Sequence, residues 1–223
     1  MIARELSFAG VTFTVATVDP AHDDLHLLWK DAKGQRFGSL ERVESWATAQ
    51  KKQLLLATNA GIFAPGYVPL GLHIAEGKTL VKLNQWHGGG NFFLAPNGVF
   101  AVVGKRAGIW ETGEFAKLKL KPTLATQSGP LLVQNSKFHP KFTPGSANRN
   151  FRNGVGATKD GKAVFVLSHF PVNFHDFARL FRDVLGCPNA LYLDGGISGM
   201  LCPSASCKSL GSNDFAGILA VLK

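Results

Sequence analysis

Two adjacent stretches decide the fold class: Asn173-Phe-His-Asp-Phe-Ala-Arg-Leu-Phe-Arg-Asp-Val-Leu-Gly186 and Ala190-Leu-Tyr-Leu-Asp194. Asn173 with Asp176 three residues later is typical of a helix N-terminus. Apolar residues then recur at helical spacing until Gly186, which predicts a helix that ends there. The short apolar run that follows predicts a buried strand. A helix next to a buried strand indicates a domain that combines helices with a sheet.

The rest of the chain is rich in short apolar runs and turns. Ser39 predicts the start of a second helix that continues to about Lys51. Three hairpin signals lie between apolar runs: Glu76-Gly77, Pro96-Asn-Gly98 and Lys159-Asp-Gly161. This pattern predicts an α/β (α+β) fold with a mixed β-sheet, few helices and several β-hairpins. No linker, repeat or low-complexity tract divides the 223 residues, so we expect a single domain over 1–223.

Composition and charge exclude several classes of protein. Hydrophobic residues make up 45% and charged residues 17% of the chain, which excludes a disordered protein and a coiled coil. The 24 Lys and Arg against 15 Asp and Glu give a net charge of +9, which predicts an anionic partner. The basic residues are scattered and no nucleic-acid-binding motif is present, so nucleic acid is not the expected partner. No apolar run approaches the roughly 18–20 residues of a membrane span. The sequence does not predict an oligomeric state.

The cysteines bear on the cellular compartment. Cys202 and Cys207 enclose a short polar loop, a spacing that suits a small disulfide, and two free thiols are the alternative. Cys187 is expected to be a small buried apolar residue. A disulfide is typical of exported proteins, so the interpretation is a periplasmic or secreted protein, although the N-terminal residues do not form a signal peptide.

Three apolar strands each end in a polar residue followed by small ones. They are Leu54 to Asn59, Leu124 to Ser128 and Leu191 to Asp194. Glycines after such strands let the backbone turn sharply and let a ligand approach closely. If the strands are neighbours, their ends surround a pocket. The candidate pocket residues are Asn59, Gln127, Ser128, Asp194 and Ser198, with Gly129, Gly195 and Gly196 at the turns.

Arginine and histidine residues are further candidates. Arg149 and Arg152 lie in a polar stretch before a strand, and guanidinium groups bind phosphate or carboxylate in a bidentate manner. A solvated basic loop is the alternative, and Arg152 is the better candidate because it directly precedes the strand. His87 precedes three glycines and His169 follows the strand Ala163–Ser168, so both are second-tier candidates, with neutral surface histidines as the alternative. Asp and Asn oxygens can bind metals, but no ligand set is visible, so neither a metal nor a cofactor is assigned.

Five segments in a fixed order carry a resemblance to a known family. They are Asn59-Ala-Gly-Ile-Phe63, Pro69-Leu-Gly71, Gln127-Ser-Gly-Pro-Leu-Leu-Val133, Arg152-Asn-Gly-Val-Gly156 and Leu193-Asp-Gly-Gly-Ile-Ser198. From about Leu54 to Leu222 the chain resembles the phosphodiester glycosidase family, which includes N-acetylglucosamine-1-phosphodiester α-N-acetylglucosaminidase, the uncovering enzyme. It looks closest to a compact bacterial branch that is often exported.

The resemblance implies a hydrolase that cleaves the bond between the anomeric carbon of a sugar and a phosphodiester oxygen, in envelope or surface glycans. Asn59, Arg152 and Asp194 match the family's motif residues and are therefore the implied catalytic residues. Ile197 stands where the family pattern Leu-Asp-Gly-Gly-Gly-Ser has its third Gly, and Gly154 stands where Ala is usual. The replacement at Ile197 narrows the conformational freedom of the loop, so it bears on the identity of the substrate more than on the fold.

The chemistry of a phosphate leaving group fits these residues. Phosphate is stable as an anion, so it needs a cation more than a strong proton donor, and Arg152 is expected to supply that cation. Asp194 is expected to act as general base, nucleophile or electrostatic partner of the transition state. Glycosidases usually use two carboxylates, and Asp214 is the only other one that the sequence suggests. The shortage of carboxylates leaves an alternative function, a non-catalytic binding protein for phosphorylated glycans.

Overall fold

A computed structural model describes residues 1–203 and 214–223 of the chain. Its largest sheet has seven strands and forms one side of the molecule's main core. In spatial order the strands are β1 (Ile2–Phe8), β2 (Val11–Val18), β15 (Ala163–Ser168), β14 (Asn153–Ala157), β16 (Asn189–Tyr192), β12 (Leu131–Gln134) and β13 (Lys137–Phe138).

Two further sheets and one small hairpin complete the described strands. The five-stranded sheet has the order β10 (Arg106–Glu111), β9 (Gly98–Val103), β11 (Leu124–Ser128), β7 (His73–Ala75) and β8 (Lys78–Val81). The four-stranded sheet has the order β17 (Met200–Leu201), β4 (Leu54–Asn59), β18 (Ile218–Leu222) and β3 (Asp24–Leu28). The hairpin consists of β5 (Phe63–Ala64) and β6 (Val68–Pro69).

The described helices are short. They are α1 (Leu40–Ala49), α2 (Thr112–Leu118) and α3 (Phe174–Arg179), which continues into a π-helical turn over Leu180–Val184. The predicted caps are present: Ser39 accepts a hydrogen bond from the Arg42 amide at 3.2 Å, and Asn173 accepts one from the Asp176 amide at 2.8 Å. None of the helices in these residues is long and apolar enough to cross a membrane.

The predicted α+β class is confirmed, but the predicted mixed sheet is wrong in its pairing. All described strand pairs are antiparallel, because hairpins and returning loops, and not parallel crossovers, connect the neighbours. The hairpins at Glu76-Gly77 and Lys159–Gly161 are confirmed. The one at Pro96–Gly98 is wrong: residues 91–97 fold into a compact turn, in which Asn97 Nδ2 donates to the Phe92 carbonyl at 2.8 Å. β9 pairs instead with β10, which the sequence reading missed.

The core lies between the sheets and fixes their relative positions. Phe100 of the five-stranded sheet and Phe165 of the seven-stranded sheet meet edge to face at a ring separation of 5.8 Å. Leu56 and Leu219 of the four-stranded sheet belong to the same buried cluster. On the outer face of the seven-stranded sheet, α3 buries Phe177 and its π-helical extension buries Phe181. Close packing on both faces therefore makes the largest sheet a rigid support for the strand ends described next.

Candidate active site

The three predicted strand ends converge, although β4, β11 and β16 belong to three different sheets. Asn59 Nδ2 donates to the Asp194 carbonyl at 3.1 Å. Ser128 Oγ donates to the Leu193 carbonyl at 2.7 Å. These hydrogen bonds join the ends of β4 and β11 to the chain that leaves β16. Asn59 and Ser128 are both buried and thus hold the backbone at Asp194 in place.

Asn153 completes this connection and was missed by the sequence reading. In the β14–β16 ladder Gly154 lies opposite Tyr192, so the start of β14 is next to the end of β16. Asn153 Nδ2 donates to Asn59 Oδ1 at 2.8 Å, and Asn153 Oδ1 accepts from the Asp194 amide at 2.9 Å. Two asparagine side chains therefore hold the main chain of Asp194 on both its N–H and its C=O. Asn153 directly follows Arg152 in one of the five segments that carry the family resemblance, so its place in that segment could have identified it as a site residue.

Asp194 is a partly buried carboxylic acid at the start of a 3₁₀ turn, Gly195–Ile197. Burial raises the pKa of Asp194 to about 6, and a hydrogen bond from the Gly196 amide opposes that shift. Its carboxylate lies beside Gly196, where an added Cβ would be 3.8 Å from Oδ1. A carboxyl with a pKa near neutral can exchange protons with a substrate or with water, as acid–base catalysis requires.

Arg152 is a nearly fully buried cation, with 1% of its surface exposed. Its Nε donates to the Val172 carbonyl at 2.7 Å and its Nη2 to the Asn148 carbonyl at 3.3 Å. The guanidinium stacks on Phe174, 3.5 Å from the ring centre. Burial lowers the pKa of Arg152 and Tyr192 opposes that shift, but a guanidinium stays protonated in proteins. The contacts fix the plane of the cation and leave N–H groups for a ligand.

Tyr192 lies next to this cation and was also missed. Its hydroxyl accepts a hydrogen bond from the Gly195 amide at 2.6 Å, and burial raises the pKa of Tyr192. The neutral hydroxyl therefore keeps its own proton to donate. A Cβ on Gly195 would clash with this hydroxyl and with the Phe151 carbonyl, which explains why glycine stands there. Alternate residues of an extended strand point to the same face. Tyr192 lies two residues before Asp194, so this alternation could have predicted that it belongs to the site.

A cleft of about 300 Å³ opens over these residues. Arg152 and Tyr192 line it, and Gly195, Gly196 and Ser198 border it from the turn after Asp194. Ser198 Oγ donates to the Gly195 carbonyl at 3.0 Å and so closes the turn. Three further residues line the cleft that sequence reasoning did not suggest: Asn91, Asn150 and Phe151. The arrangement combines a fixed cation, a hydroxyl donor and a neighbouring carboxyl group.

Gln127 and Gly129 lie near this region but not in the lining of the cleft. The Gln127 side chain is buried and is used internally: Oε1 accepts from the amides of Leu72 and Asn84, and Nε2 donates to the Asn84 carbonyl at 2.6 Å. Gly129 allows a close approach of the backbone at Phe92, since a Cβ would be 2.5 Å from that carbonyl oxygen. Both residues support the walls of the site and do not reach its interior.

The structure does not bring the other three candidates into the cleft. His169 Nε2 is 2.7 Å from Thr14 Oγ1, at the end of β15. Arg149 is exposed and donates through Nη2 to the Pro171 carbonyl at 3.0 Å. His87 is exposed in the loop between β8 and β9. Their predicted roles in substrate binding remain predictions, without support from the geometry.

The cysteines and metal ligands can be described in part. Cys187 is buried and free, and burial raises the pKa of its thiol to about 12. This confirms the prediction that Cys187 is a small buried apolar residue. Cys202 is buried, whereas Cys207 lies outside the described residues, so their disulfide stays a prediction. Among residues 1–203 and 214–223, no group of three or more His, Cys, Asp or Glu side chains is arranged to hold a metal ion.

Solved structures with the same fold include an enzyme catalytic domain. The zebrafish N-acetylglucosamine-1-phosphodiester α-N-acetylglucosaminidase catalytic domain, auto-inhibited by its pro-peptide, matches with a TM-score of 0.66 at 16% identity, over 99% of this chain and 81% of that one. A putative exported protein from Burkholderia pseudomallei K96243 matches with a TM-score of 0.62 at 12% identity, over 96% of this chain and 74% of that one. At these identities the likeness establishes the fold.

Sequence comparison identifies the family. The sequence profile of the phosphodiester glycosidase family matches residues 52–214, most of the chain. The uncharacterized protein YigE of Escherichia coli K12 is 40% identical over 195 residues, which cover 87% of this chain and 76% of that protein. The protein is thus an α+β protein with a buried arginine and an adjacent carboxylic acid at one cleft. It belongs to the phosphodiester glycosidase family, as the sequence motifs predicted.

Proposed function

We propose that the protein is a hydrolase that cleaves sugar-1-phosphodiesters between the anomeric carbon and the phosphate. The family supports the reaction class. The N-acetylglucosamine-1-phosphodiester of an envelope or surface glycan is the proposed substrate, because the motif residues Asn59, Arg152 and Asp194 match the family pattern.

The observation that carries this proposal is the unpaired charge of Arg152. No carboxylate in the described part of the chain forms an ion pair with it, although it is 1% exposed and lines the cleft. A buried charge without a counter-ion is costly, and an anionic ligand removes that cost. A phosphodiester supplies the missing negative charge, and its charge increases as the bond to the sugar breaks. A fixed cation therefore binds the transition state more tightly than the substrate.

Asp194 acts on the sugar side of the scissile bond in this proposal. With a pKa of about 6 it is largely ionised at neutral pH. The carboxylate then serves as nucleophile at the anomeric carbon or as general base on a water molecule. Either role needs a carboxylate at a fixed position, which the hydrogen bonds of Asn59 and Asn153 to its main chain provide. Tyr192 donates its free O–H to a substrate oxygen.

The direct test is hydrolysis of a panel of α-N-acetylglucosamine-1-phosphodiesters. Asp194→Asn and Arg152→Ala should each lower kcat/KM by about 10²–10⁴-fold, since each removes a charge that acts in the transition state. Asp160→Asn and Arg42→Ala are matched controls, because both residues lie on the exposed surface. Unchanged activity in both site variants would overturn the assignment.

A binding protein for phosphorylated glycans is the second candidate function. It is favoured by one observation: among the described residues no carboxylate lines the cleft, and Asp194 lies next to the turn that borders it. Asp214, the only other candidate, lies on a neighbouring pocket together with Ile197. Saturable binding of sugar phosphates that depends on Arg152, with no product after long incubation, would select this function over hydrolysis.

Two further proposals concern the whole chain. We propose that residues 1–223 form one domain, which is supported by a buried cluster that joins all three larger sheets. We also propose a periplasmic or secreted location. The Cys202–Cys207 spacing and the likeness to the Burkholderia protein, a putative exported protein, support it. Fractionation of the native host, followed by thiol labelling of the intact and reduced protein, tests the location and the disulfide together.

A further inference from the structure

The strands that bring side chains to the active site also lead away from it, to the opposite end of the molecule. β14 begins at Asn153, whose side chain holds the Asp194 amide, and ends at Ala157. β11 runs the other way and ends at Ser128, which holds the Leu193 carbonyl. Each strand has five residues. At about 3.3 Å per residue, they put roughly 15 Å between the active site and this opposite end.

Hydrogen bonds between turns bring basic side chains together at this end. The Gly77 amide donates to the Thr123 carbonyl at 2.8 Å, and the Thr123 amide donates to the Val102 carbonyl at 2.9 Å. Arg106 Nη2 donates to the Lys159 carbonyl at 3.0 Å. These bonds connect the turns that precede or follow β8, β9, β10, β11 and β14. We call this surface the basic end, and its exposed cations are Lys78, Lys105, Arg106, Lys119, Lys121 and Lys159.

The positive charge of the basic end is not balanced by nearby carboxylates. None of its cations forms an ion pair within the described part of the chain. The same turns hold the exposed Glu76 and Asp160, and Asp160 already pairs with Lys162 at 2.8 Å. Like charges on neighbouring turns repel each other, so an anionic surface gains affinity from each of them.

Exposed leucines accompany these cations. Leu118, the last residue of α2, is 50% exposed and lies between Lys117 and Lys119. Leu80 is also 50% exposed, two residues after Lys78 on the edge strand β8. Nucleic acids favour a different surface, because bases stack on aromatic rings and arginines hold phosphates in a bidentate manner. Leucines among lysines suit the boundary between the headgroups and the acyl chains of a bilayer.

We propose that the basic end binds the surface of an anionic phospholipid bilayer, with its lysines at the headgroup phosphates and Leu118 inserted between them. The cleft then faces away from the bilayer, because β11 and β14 place it at the other end of the molecule. None of the cations of the basic end lines the cleft, so this interaction is separate from the proposed hydrolysis. A protein bound in this way stays at a membrane while its active site is accessible from the aqueous side.

Sedimentation of the full chain with lipid vesicles tests the proposal. We expect binding to vesicles of equimolar phosphatidylglycerol and phosphatidylcholine, no binding to pure phosphatidylcholine, and loss of binding at high salt. Each basic residue near an anionic surface contributes about fivefold in affinity. The triple variant Lys105→Gln, Lys121→Gln and Lys159→Gln should therefore bind the anionic vesicles about 100-fold more weakly.

A second triple variant removes the same number of charges elsewhere on the surface. Lys33→Gln, Arg42→Gln and Lys141→Gln replace exposed residues outside the basic end. Because charges more than a Debye length from the bilayer are screened, this variant should lose less than about fivefold in affinity. All the replaced side chains are exposed, so both variants should keep the melting temperature of the parent protein.

Leu118→Ser distinguishes a bilayer from other polyanions. It should weaken vesicle binding about tenfold, because the bilayer no longer buries the leucine, and leave binding to double-stranded DNA unchanged. Absence of vesicle binding, or an equal loss of affinity in the two triple variants, would overturn the proposal. Tighter binding to DNA than to vesicles at the same salt concentration, or a Leu118→Ser variant that binds vesicles like the parent, would show a general polyanion surface and also overturn it. Hydrolysis of a soluble diester is measured separately and does not depend on any of these outcomes.

Discussion

Burial and charge act against each other at Asp194. The carboxylate is costly to ionise in its partly buried position, and the two asparagines next to it bind its main chain rather than its carboxylate. Arg152 shows the same conflict with the opposite sign: among the described residues, carbonyl oxygens and an aromatic face compensate its burial, and no carboxylate does. Sites that keep unfavourable charges in this way give up stability for reactivity.

The pH dependence of activity follows from the pKa of Asp194. If the ionised carboxylate is the working form, kcat/KM should rise about tenfold per pH unit below 6 and level off above it, because the free protein's pKa is about 6. Initial rates with one diester between pH 4 and pH 8 measure this profile. The control variant Asp160→Asn should show the same pH profile as the parent protein. An activity that falls as the pH rises through 6 would instead make the protonated acid the working form.

Adding a single methyl group at Gly195 should lower both the activity and the stability of the protein. In Gly195→Ala the new Cβ would clash with the Tyr192 hydroxyl and the Phe151 carbonyl, so the turn has to move and takes Asp194 with it. A displacement of about 1 Å is enough for a loss of roughly 100-fold in kcat. The variant should also lose about 1–3 kcal/mol of stability through overpacking.

A glycine without close neighbours provides the comparison for this variant. Nothing lies within 4 Å of a Cβ at Gly89, so Gly89→Ala should retain the activity and the melting temperature of the parent. Steady-state kinetics and thermal unfolding of both variants check the prediction. Equal effects of the two substitutions would show that the close contacts at Gly195 do not control the site.

At the scale of elements, α3 connects the core to the cleft. The helix is capped by Asn173, buries Phe177 against the seven-stranded sheet, and presents Phe174 to the guanidinium of Arg152. Its position therefore affects both the stability of the sheet and the orientation of the cation. The cap residue lies only one position before Phe174. Loosening the first turn should therefore directly displace the Phe174 ring, which contacts Arg152.

Replacing the cap of α3 tests this connection. Asn173→Ala should cost about 1 kcal/mol of unfolding free energy, because the Asp176 amide loses its acceptor. It should also raise KM for a diester, because the displaced Phe174 ring no longer fixes the orientation of the Arg152 guanidinium. Asn173→Ser keeps a capping oxygen and should restore most of the loss, whereas Asn173→Asp places a carboxylate against Asp176 and should not. Urea unfolding curves and KM values for the three variants measure both effects, and a stability loss without any change in KM would separate the helix from the site.

The sequence predicts local elements better than it predicts how they assemble. Caps at Ser39 and Asn173 and the turn at Gly77 are local signals, and each is confirmed. The pairing of β9 with β10 and the distribution of strands over three sheets depend on long-range packing, which the local pattern does not contain. The convergence of Asn59 and Asp194 was predicted as a condition on neighbouring strands, and it is met through contacts between different sheets. Tyr192 was missed because a tyrosine in an apolar strand is usually core.

At the scale of the whole molecule, two buried titratable groups give stability opposite dependences on pH. His73 is fully buried, and neither of its ring nitrogens has a hydrogen-bond partner among the described residues. Burial lowers the pKa of His73 to about 4, so the folded protein keeps this ring neutral where an unfolded chain would protonate it. Asp194, whose pKa is raised, destabilises the folded protein when it is ionised.

The direction of each effect follows from which state binds protons more tightly. For His73 the unfolded state does, so its cost is absent above pH 6.5 and grows as the pH falls towards about 4, to roughly 3 kcal/mol. For Asp194 the folded state binds the proton more tightly, so its cost is absent below pH 3.8 and is complete above about 6, again near 3 kcal/mol. Both terms destabilise the fold, but between pH 4 and 6 one decreases while the other increases, so their pH dependences partly cancel.

Separate substitutions should expose the two terms. His73→Leu should lessen the loss of unfolding free energy between pH 6.5 and pH 4, because the leucine takes up no proton in the unfolded state. Asp194→Asn should raise the unfolding free energy at pH 8, where the parent carries a buried carboxylate, and change little at pH 4. Urea unfolding of the parent and both variants at pH 4, 6 and 8 measures these differences. If His73→Leu follows the parent across the whole range, His73 does not govern the acid limit of the fold. If Asp194→Asn gains nothing at pH 8, the carboxylate is not held at a cost, and its pKa is not the result of burial.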